Sequence, residues 1–291
     1  MRSEGATDTI RALLLGAFAV SAGLSAHATH VTPERHTPAG PAASRTLEAC
    51  EEAPEIPFDL RPAYLTPDTI GLTFDDGPDL VNTPKVLDVL AREGVHATFF
   101  INTENWSSLS TNENARAIVR RIVEEGHALG NHTVHHWRLS SLSPERIEHE
   151  IASVEQTVRE ILGDEAPRLT LFRAPYGDPY VGGRRGRGYQ KVAPIVARHA
   201  VHIGWNIAIA DGRCPRGDAE CVLSAVKRNL DRGFYGIILL HSTHAQTARA
   251  LPAIIEEIRR RGMHFVSVED VVRARFGRSS AELVDDPCKE G

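Results

Sequence analysis

From residue 68 onward this 291-residue chain alternates short apolar runs with amphipathic helical stretches, and that alternation narrows the available folds more than any other feature. The strand candidates are Ile70 to Phe74, Ala97 to Ile101, Leu169 to Phe172, Val201 to Ile207, Gly236 to Leu240 and His264 to Val266. The clearest helix starts after Ser143, an N-capping residue followed by Pro144 at the first helical position, and ends at Gly163. Regular β–α alternation predicts a mostly parallel sheet with helices outside it, hence an α/β barrel, complete or not. In such a fold the chemistry gathers at the C-terminal ends of the strands.

The segment before residue 68 reads differently. Arg2 and Arg11 flank a charged start, Ala12 to Ala22 is apolar, and Ala26-His27-Ala28 has the small-x-small form of a cleavage site. The apolar part is too short and too poor in large residues to span a bilayer. Residues 1–28 are therefore expected to be a signal peptide cut near Ala28, residues 29–60 a Pro-rich linker, and residues 61–291 a single catalytic domain, secreted or periplasmic, with no stable membrane insertion and a monomeric state. Export turns the four cysteines toward disulfides. Three pairings exist; closeness in sequence favours Cys214–Cys221, and position at the two ends of the folded part favours Cys50–Cys288. A net charge of −5 and a pI near 6.3 provide no basic face, so no nucleic-acid partner is expected.

Polar residues cluster where strands are predicted to end. Ile70–Phe74 runs into Asp75-Asp76-Gly77-Pro78, and two carboxylates there are costly unless a cation or hydrogen bonds hold them. His132 and His136 are four apart, which on a helical turn gives one face able to grip a metal ion. Two imidazoles and one carboxylate leave coordination positions open for water and substrate. The 169–172 run ends in Arg173-Ala174-Pro175-Tyr176, and the 236–240 run ends in His241. Taken singly, each has a plain structural reading as a turn, a solvated helix face or a satisfied core residue. Four such clusters at the ends of four different strands point to one site.

Thr73-Phe74-Asp75-Asp76-Gly77-Pro78, His132-Thr133-x-x-His136, Arg173-x-Pro175-Tyr176 and Leu240-His241, in that order over residues 68–270, resemble the motif series of the NodB-type polysaccharide deacetylases, the family-four carbohydrate esterases. The resemblance implies a distorted (β/α) barrel of about seven parallel strands. It also implies removal of N- or O-acetyl groups from a glycan such as peptidoglycan, chitin or xylan, with one divalent metal ion, zinc before cobalt or another ion. Residue by residue it implies Asp76, His132 and His136 as metal ligands, Asp75 as general base, His241 as general acid, and Arg173 as the residue that orients the base. Pro175 and Tyr176 would border the substrate, with the Tyr176 backbone N–H at the oxyanion.

Two departures stand out. In the fourth motif Asp211 can support Arg173 or His241, but Gly212 stands where a groove-lining Trp is usual and Ala208 where another Asp often lies; Ser242 replaces the Asp that often follows the last His. Gly212 therefore predicts a more open groove, and Arg184-Arg185-Gly186-Arg187 a basic loop for an acidic polymer, which together favour peptidoglycan over short neutral chitin oligomers. Other classes weigh less. Asp75 and His241 are both present, which speaks against an inactive glycan-binding relative, and no G-x-S-x-G elbow offers a serine esterase. A metal-dependent hydrolase of a small amide stays open on the same barrel.

Overall fold

Ile70, Leu72 and Phe74 lie in β2 (Thr69–Asp75), a central strand buried along its whole length. The computed structural model describes residues 53–184 and 186–286. The other strands are β1 (Glu55–Ile56), β3 (Thr98–Ile101), β4 (Ala128–Asn131), β5 (Leu171–Phe172), β6 (Val201–Ile203), β7 (Ile207–Ala208), β8 (Gly236–His241) and β9 (His264–Phe265). The helices are α1 (Asn82–Glu93), α2 (Glu113–Glu124), α3 (Pro144–Leu162), α4 (Arg187–Ala197), α5 (Ala219–Asp231), α6 (Ala245–Arg260), α7 (Val268–Phe276) and α8 (Ser280–Asp285). Every strand pairing is parallel. The sheet runs β1-β6-β5-β4-β3-β2-β8-β7, and β9 pairs with the start of β2.

That order forces the sheet to curl. β6 lies near one end and β7 is the other end, yet only residues 204–206 join them. Four residue steps span at most about 14 Å, so the two sheet ends approach each other and the expected distorted barrel results. The sequence reading of 201–207 as one strand needs correcting for this reason. The chain breaks at Gly204, whose N–H reaches Ile56 O at 2.7 Å and where a Cβ would lie 2.7 Å from that oxygen.

Alternation along β2 sorts its two faces. Ile70, Leu72 and Phe74 pack outward with α1 and α6, among them Leu90, Leu251 and Ile254. Thr73 and Asp75 face the other way, into the concave side. α3 starts and stops as its sequence indicates: Ser143 Oγ accepts from Arg146 N, and the chain leaves the helix at Gly163 with φ 63°.

Within the stretch expected as linker, Glu55 and Ile56 pair with His202 and Ile203 as an edge strand. The signal segment and the Cys50–Cys288 pair lie outside the described residues. The Cys214–Cys221 disulfide is present, with Cα atoms 5.8 Å apart. Among the described residues no helix is long and apolar enough to cross a membrane.

Candidate active site

Parallel strands deliver every candidate residue to one end of the sheet. Asp75 closes β2 and Asp76 follows it; His132 follows β4, Arg173 follows β5, Asp211 lies just past β7, and His241 closes β8. β2 and β8 are neighbours in register, with Asp75 opposite His241.

Asp76, His132 and His136 bring one ligand atom each to within 4.8 Å of one another. Asp76 Oδ1 lies 3.3 Å from His132 Nε2 and 3.1 Å from His136 Nε2. The local geometry differs from the expected helical turn. The stretch after β4 is a loop in which Thr133 (φ 72°) and His136 (φ 60°) are left-handed, as is Asp76 (φ 70°). Positive φ is uncommon outside Gly, and here it occurs at two of the three candidate ligands.

The donor set fits a divalent cation. His132 Nδ1 faces the Arg173 carbonyl oxygen at 2.7 Å; a carbonyl only accepts, so Nδ1 carries the proton. When the rings are neutral, His132 Nε2 presents a lone pair toward Asp76 Oδ1, itself buried without a hydrogen-bond partner. Lone pairs that converge in a buried space with no proton between them are stabilised by a cation. Burial works against an ionised Asp76; hydrogen bonds and charge from His132 and His136 in their protonated form outweigh it and hold the carboxyl well below the usual carboxylate range, and a cation fills the same role when the rings are neutral.

Arg173 is fully buried, and its guanidinium makes four hydrogen bonds. Nη1 donates to Asp75 Oδ1 and to Thr73 Oγ1, both at 2.7 Å; Nε and Nη2 donate to the carbonyls of Ile203 and Gly204, each at 3.1 Å. Its backbone oxygen is the acceptor for His132. The guanidinium also lies over the Phe100 ring at 4.2 Å. Asp75 Oδ2 remains 3.8 Å from His132 Nε2, at the edge of the metal triad.

On the opposite side, His241 Nδ1 meets Asp211 Oδ1 at 2.7 Å, while the His241 N–H reaches Asp211 Oδ2 at 2.9 Å. Thr247 Oγ1 also donates to Oδ2, at 2.6 Å, and Gly212 N–H to Oδ1, at 3.1 Å. Burial opposes the charged imidazole, but the Asp211 hydrogen bond and charge, with Asp76 and Asp75 behind them, raise its pKa to about 9. Burial likewise opposes the Asp211 carboxylate, and the His241 and Thr247 contacts reverse that and lower its pKa.

Pro175 is buried at the start of a tight turn that the Gly177 and Asp178 N–H groups close. Tyr176, at φ 59°, sends a 55% exposed ring over His136, with centroids 4.6 Å apart.

The open groove expected from Gly212 is not found. A Cβ at Gly212 would lie 2.8 Å from His244 Nε2, so the imidazole of His244 already fills that space. Trp106 packs against it in a T-shaped arrangement, with centroids 6.3 Å apart and an 84° interplanar angle. In the basic loop, Arg184 donates from Nε to Glu55 at 3.0 Å.

Sequence reasoning missed Asn102, which is buried directly after β3. Its N–H donates to Gly77 O at 2.9 Å, and its side-chain Nδ2 donates to His132 O and to Thr133 O, the latter at 3.0 Å. A polar residue straight after the apolar run Thr98–Ile101 was the available signal. Thr247 and His244, from the start of α6 and just before it, were missed as well.

The polysaccharide deacetylase family model matches residues 64–184. A peptidoglycan-N-acetylglucosamine deacetylase of Bacillus cereus is 32% identical over 211 residues, covering 70% of this chain and 88% of the relative. A peptidoglycan-N-acetylmuramic acid deacetylase of Bacillus subtilis is 32% identical over 209 residues, 70% of this chain and 71% of the relative. Among solved structures, the chitin deacetylase of Colletotrichum lindemuthianum superposes with a TM-score of 0.61 at 27% identity, covering 74% of this chain and 90% of the other.

Proposed function

This chain belongs to the polysaccharide deacetylase family, and from that premise we propose that it is an exported enzyme that hydrolyses N-acetyl groups on a glycan, peptidoglycan before chitin, with one divalent metal ion, zinc, held by Asp76, His132 and His136. The observation that carries this reading is the placement of that triad between the Arg173-held Asp75 and the Asp211-held His241. Peptidoglycan comes first because the similar bacterial proteins are peptidoglycan deacetylases by name.

The geometry supports a division of roles. A bound divalent cation supplies Lewis acidity toward the acetyl carbonyl oxygen and toward water. Asp75 takes a proton from the attacking water; its Oδ1 is fixed by Arg173, which leaves Oδ2 for that task. The Tyr176 backbone N–H, on the turn beside His136, offers a donor to the developing oxyanion. His241 engages Asp211 through Nδ1, so Nε2 is the atom that carries a proton to the departing nitrogen. Water and the acetamide yield acetic acid and a free amine: Asp75 takes one water proton, the other stays on the new carboxyl group, and His241 supplies the proton on the departing nitrogen.

The test is acetate release from peptidoglycan, N-acetylated chitin oligomers and acetylated xylan, before and after chelation and zinc reloading. Release that stops on chelation and returns with zinc is expected. Turnover that survives chelation, or a preference for small amides over every glycan, refutes the reading.

A further inference from the structure

The space beside the proton donor is walled by residues that belong to no motif of the series. Gly212 is close to His241 through Asp211, whose carboxylate receives both the Gly212 N–H and the His241 ring. His244 lies directly over Gly212, where any side chain would collide with it at 2.8 Å. Its ring is 5.3 Å from that of His241, tilted by 40°. Beyond it stands Trp106, 53% exposed although it is one of the largest apolar side chains in the molecule. Trp106 is not on a loose tip. Its loop is pinned by Asn102 to the backbone of the metal loop, by Glu104 N–H to Val134 O at 2.9 Å, and by Leu109 N–H to Thr103 O at 2.8 Å.

About half of the indole surface stays exposed beside that imidazole and can take a sugar ring. Pyranose rings present axial C–H groups that pack on aromatic faces, and aromatic contacts of this kind contribute about 1 kcal/mol, a factor of about 5 in affinity. Position identifies which ring would be met. His241 delivers a proton to the departing nitrogen, so the sugar carbon bearing that nitrogen sits beside His241, and the surfaces next to His241 meet the same sugar.

We propose that Trp106 and His244 form a pyranose-binding wall for the sugar that carries the acetamide, with His244 taking the volume that Gly212 leaves free. This rests on the deacetylase reading for the identity of the sugar. The wall is built from the loops after β3 and β8, whereas the metal triad and Arg173 come from those after β2, β4 and β5. The wall therefore shares the end of β8 with His241 and shares no segment with the metal triad.

The experiment measures calorimetric binding of N-acetylated chitotetraose, and KM and kcat on the same oligomer, for the full chain and for Trp106→Ala, Trp106→Phe, His244→Ala and the double alanine variant. Trp106→Ala is expected to weaken binding and raise KM by about 5-fold, with most of the loss in KM rather than kcat, and Trp106→Phe to recover much of it. The two alanine effects are expected to be less than additive, since each residue supports the other. In a second arm, Gly212→Trp is expected to lower Tm, and combination with His244→Ala to restore it. Binding and KM within 2-fold of the unsubstituted protein in both alanine variants, Trp106→Phe as weak as Trp106→Ala, or no binding by the unsubstituted protein overturns the wall. Binding without acetate release overturns the deacetylase reading instead, and the binding arm then still decides the wall.

Discussion

His132 Nδ1 donates to the backbone oxygen of Arg173 across 2.7 Å, while the side chain of the same arginine grips Asp75 Oδ1 at 2.7 Å. One residue thus sets the tautomer of a candidate metal ligand with its main chain and the orientation of the base with its guanidinium. Arg173→Met removes the partner of a buried carboxylate, so stability is expected to fall by about 3–5 kcal/mol in urea denaturation. Arg173→Lys retains a cation but not the forked set of contacts and is expected to fold better than Met while losing turnover. Wild-type turnover in either variant would show that Asp75 needs no such support.

Asp75→Asn is expected to retain one metal ion per chain and lose about 10²–10⁴-fold in kcat, because Asp75 lies outside the triad and is the proposed general base. Asp76→Ala, His132→Ala and His136→Ala are expected to lose the metal. Elemental analysis after dialysis, combined with acetate release, separates the two classes; full activity of a metal-reloaded Asp75→Asn protein would remove Asp75 from the chemistry.

Asn102→Ala removes the two donors that hold the His132 and Thr133 carbonyls. Outer-shell losses of this type cost about 10–100-fold in metal affinity. Titration against a competing chelator reads that shift directly, and an unchanged dissociation constant would make the contact purely structural.

The pH dependence follows from His241, whose pKa is raised to about 9 from 6.5. A raised value means the folded state favours the proton, so the donor is charged at neutral pH and activity should fall as pH rises through about 9. The linked stability is fully present below pH 6.5 and is lost across the same alkaline window. Asp211→Asn weakens the hold on the proton, and the alkaline limb of kcat/KM should move toward lower pH. A limb that stays in place in that variant would assign it to another group.

Reduction of Cys214–Cys221 opens a bridge of sequence separation 7, worth about 2–3 kcal/mol by loop entropy. Cys214 N–H donates to the backbone oxygen of Asp211 at 3.0 Å, so the bridge sits against the segment that holds the proton donor. Reductant, or Cys214→Ser with Cys221→Ser, is expected to lower Tm and also reduce kcat; a Tm shift with unchanged kcat would separate the bridge from the site.

How far the sequence reaches is clear from particular positions. Asp75 and Asp76 were legible because an apolar run ends in two charges. Their neighbours His132 and His136 were legible as a pair, yet the four-residue spacing suggested a helix, and no local signal marks Thr133 and His136 for positive φ. β4 was not read as a strand, since Ala128-Leu129-Gly130-Asn131 lacks β-branched residues; Gly130 is there because a Cβ would overlap the Phe100 ring. Residues 201–207 look like one strand because the break at Gly204 is dictated by Ile56, a partner far away in the chain. Gly212 misled for the same reason, its space being filled from His244.

The 2.8 Å approach of His244 to the place of a Cβ on Gly212 also constrains history. A ring rooted at 212 and the imidazole of His244 in its present orientation claim the same volume. A lineage that gains the one must lose the other or turn it away, so these two positions are expected to change together rather than singly.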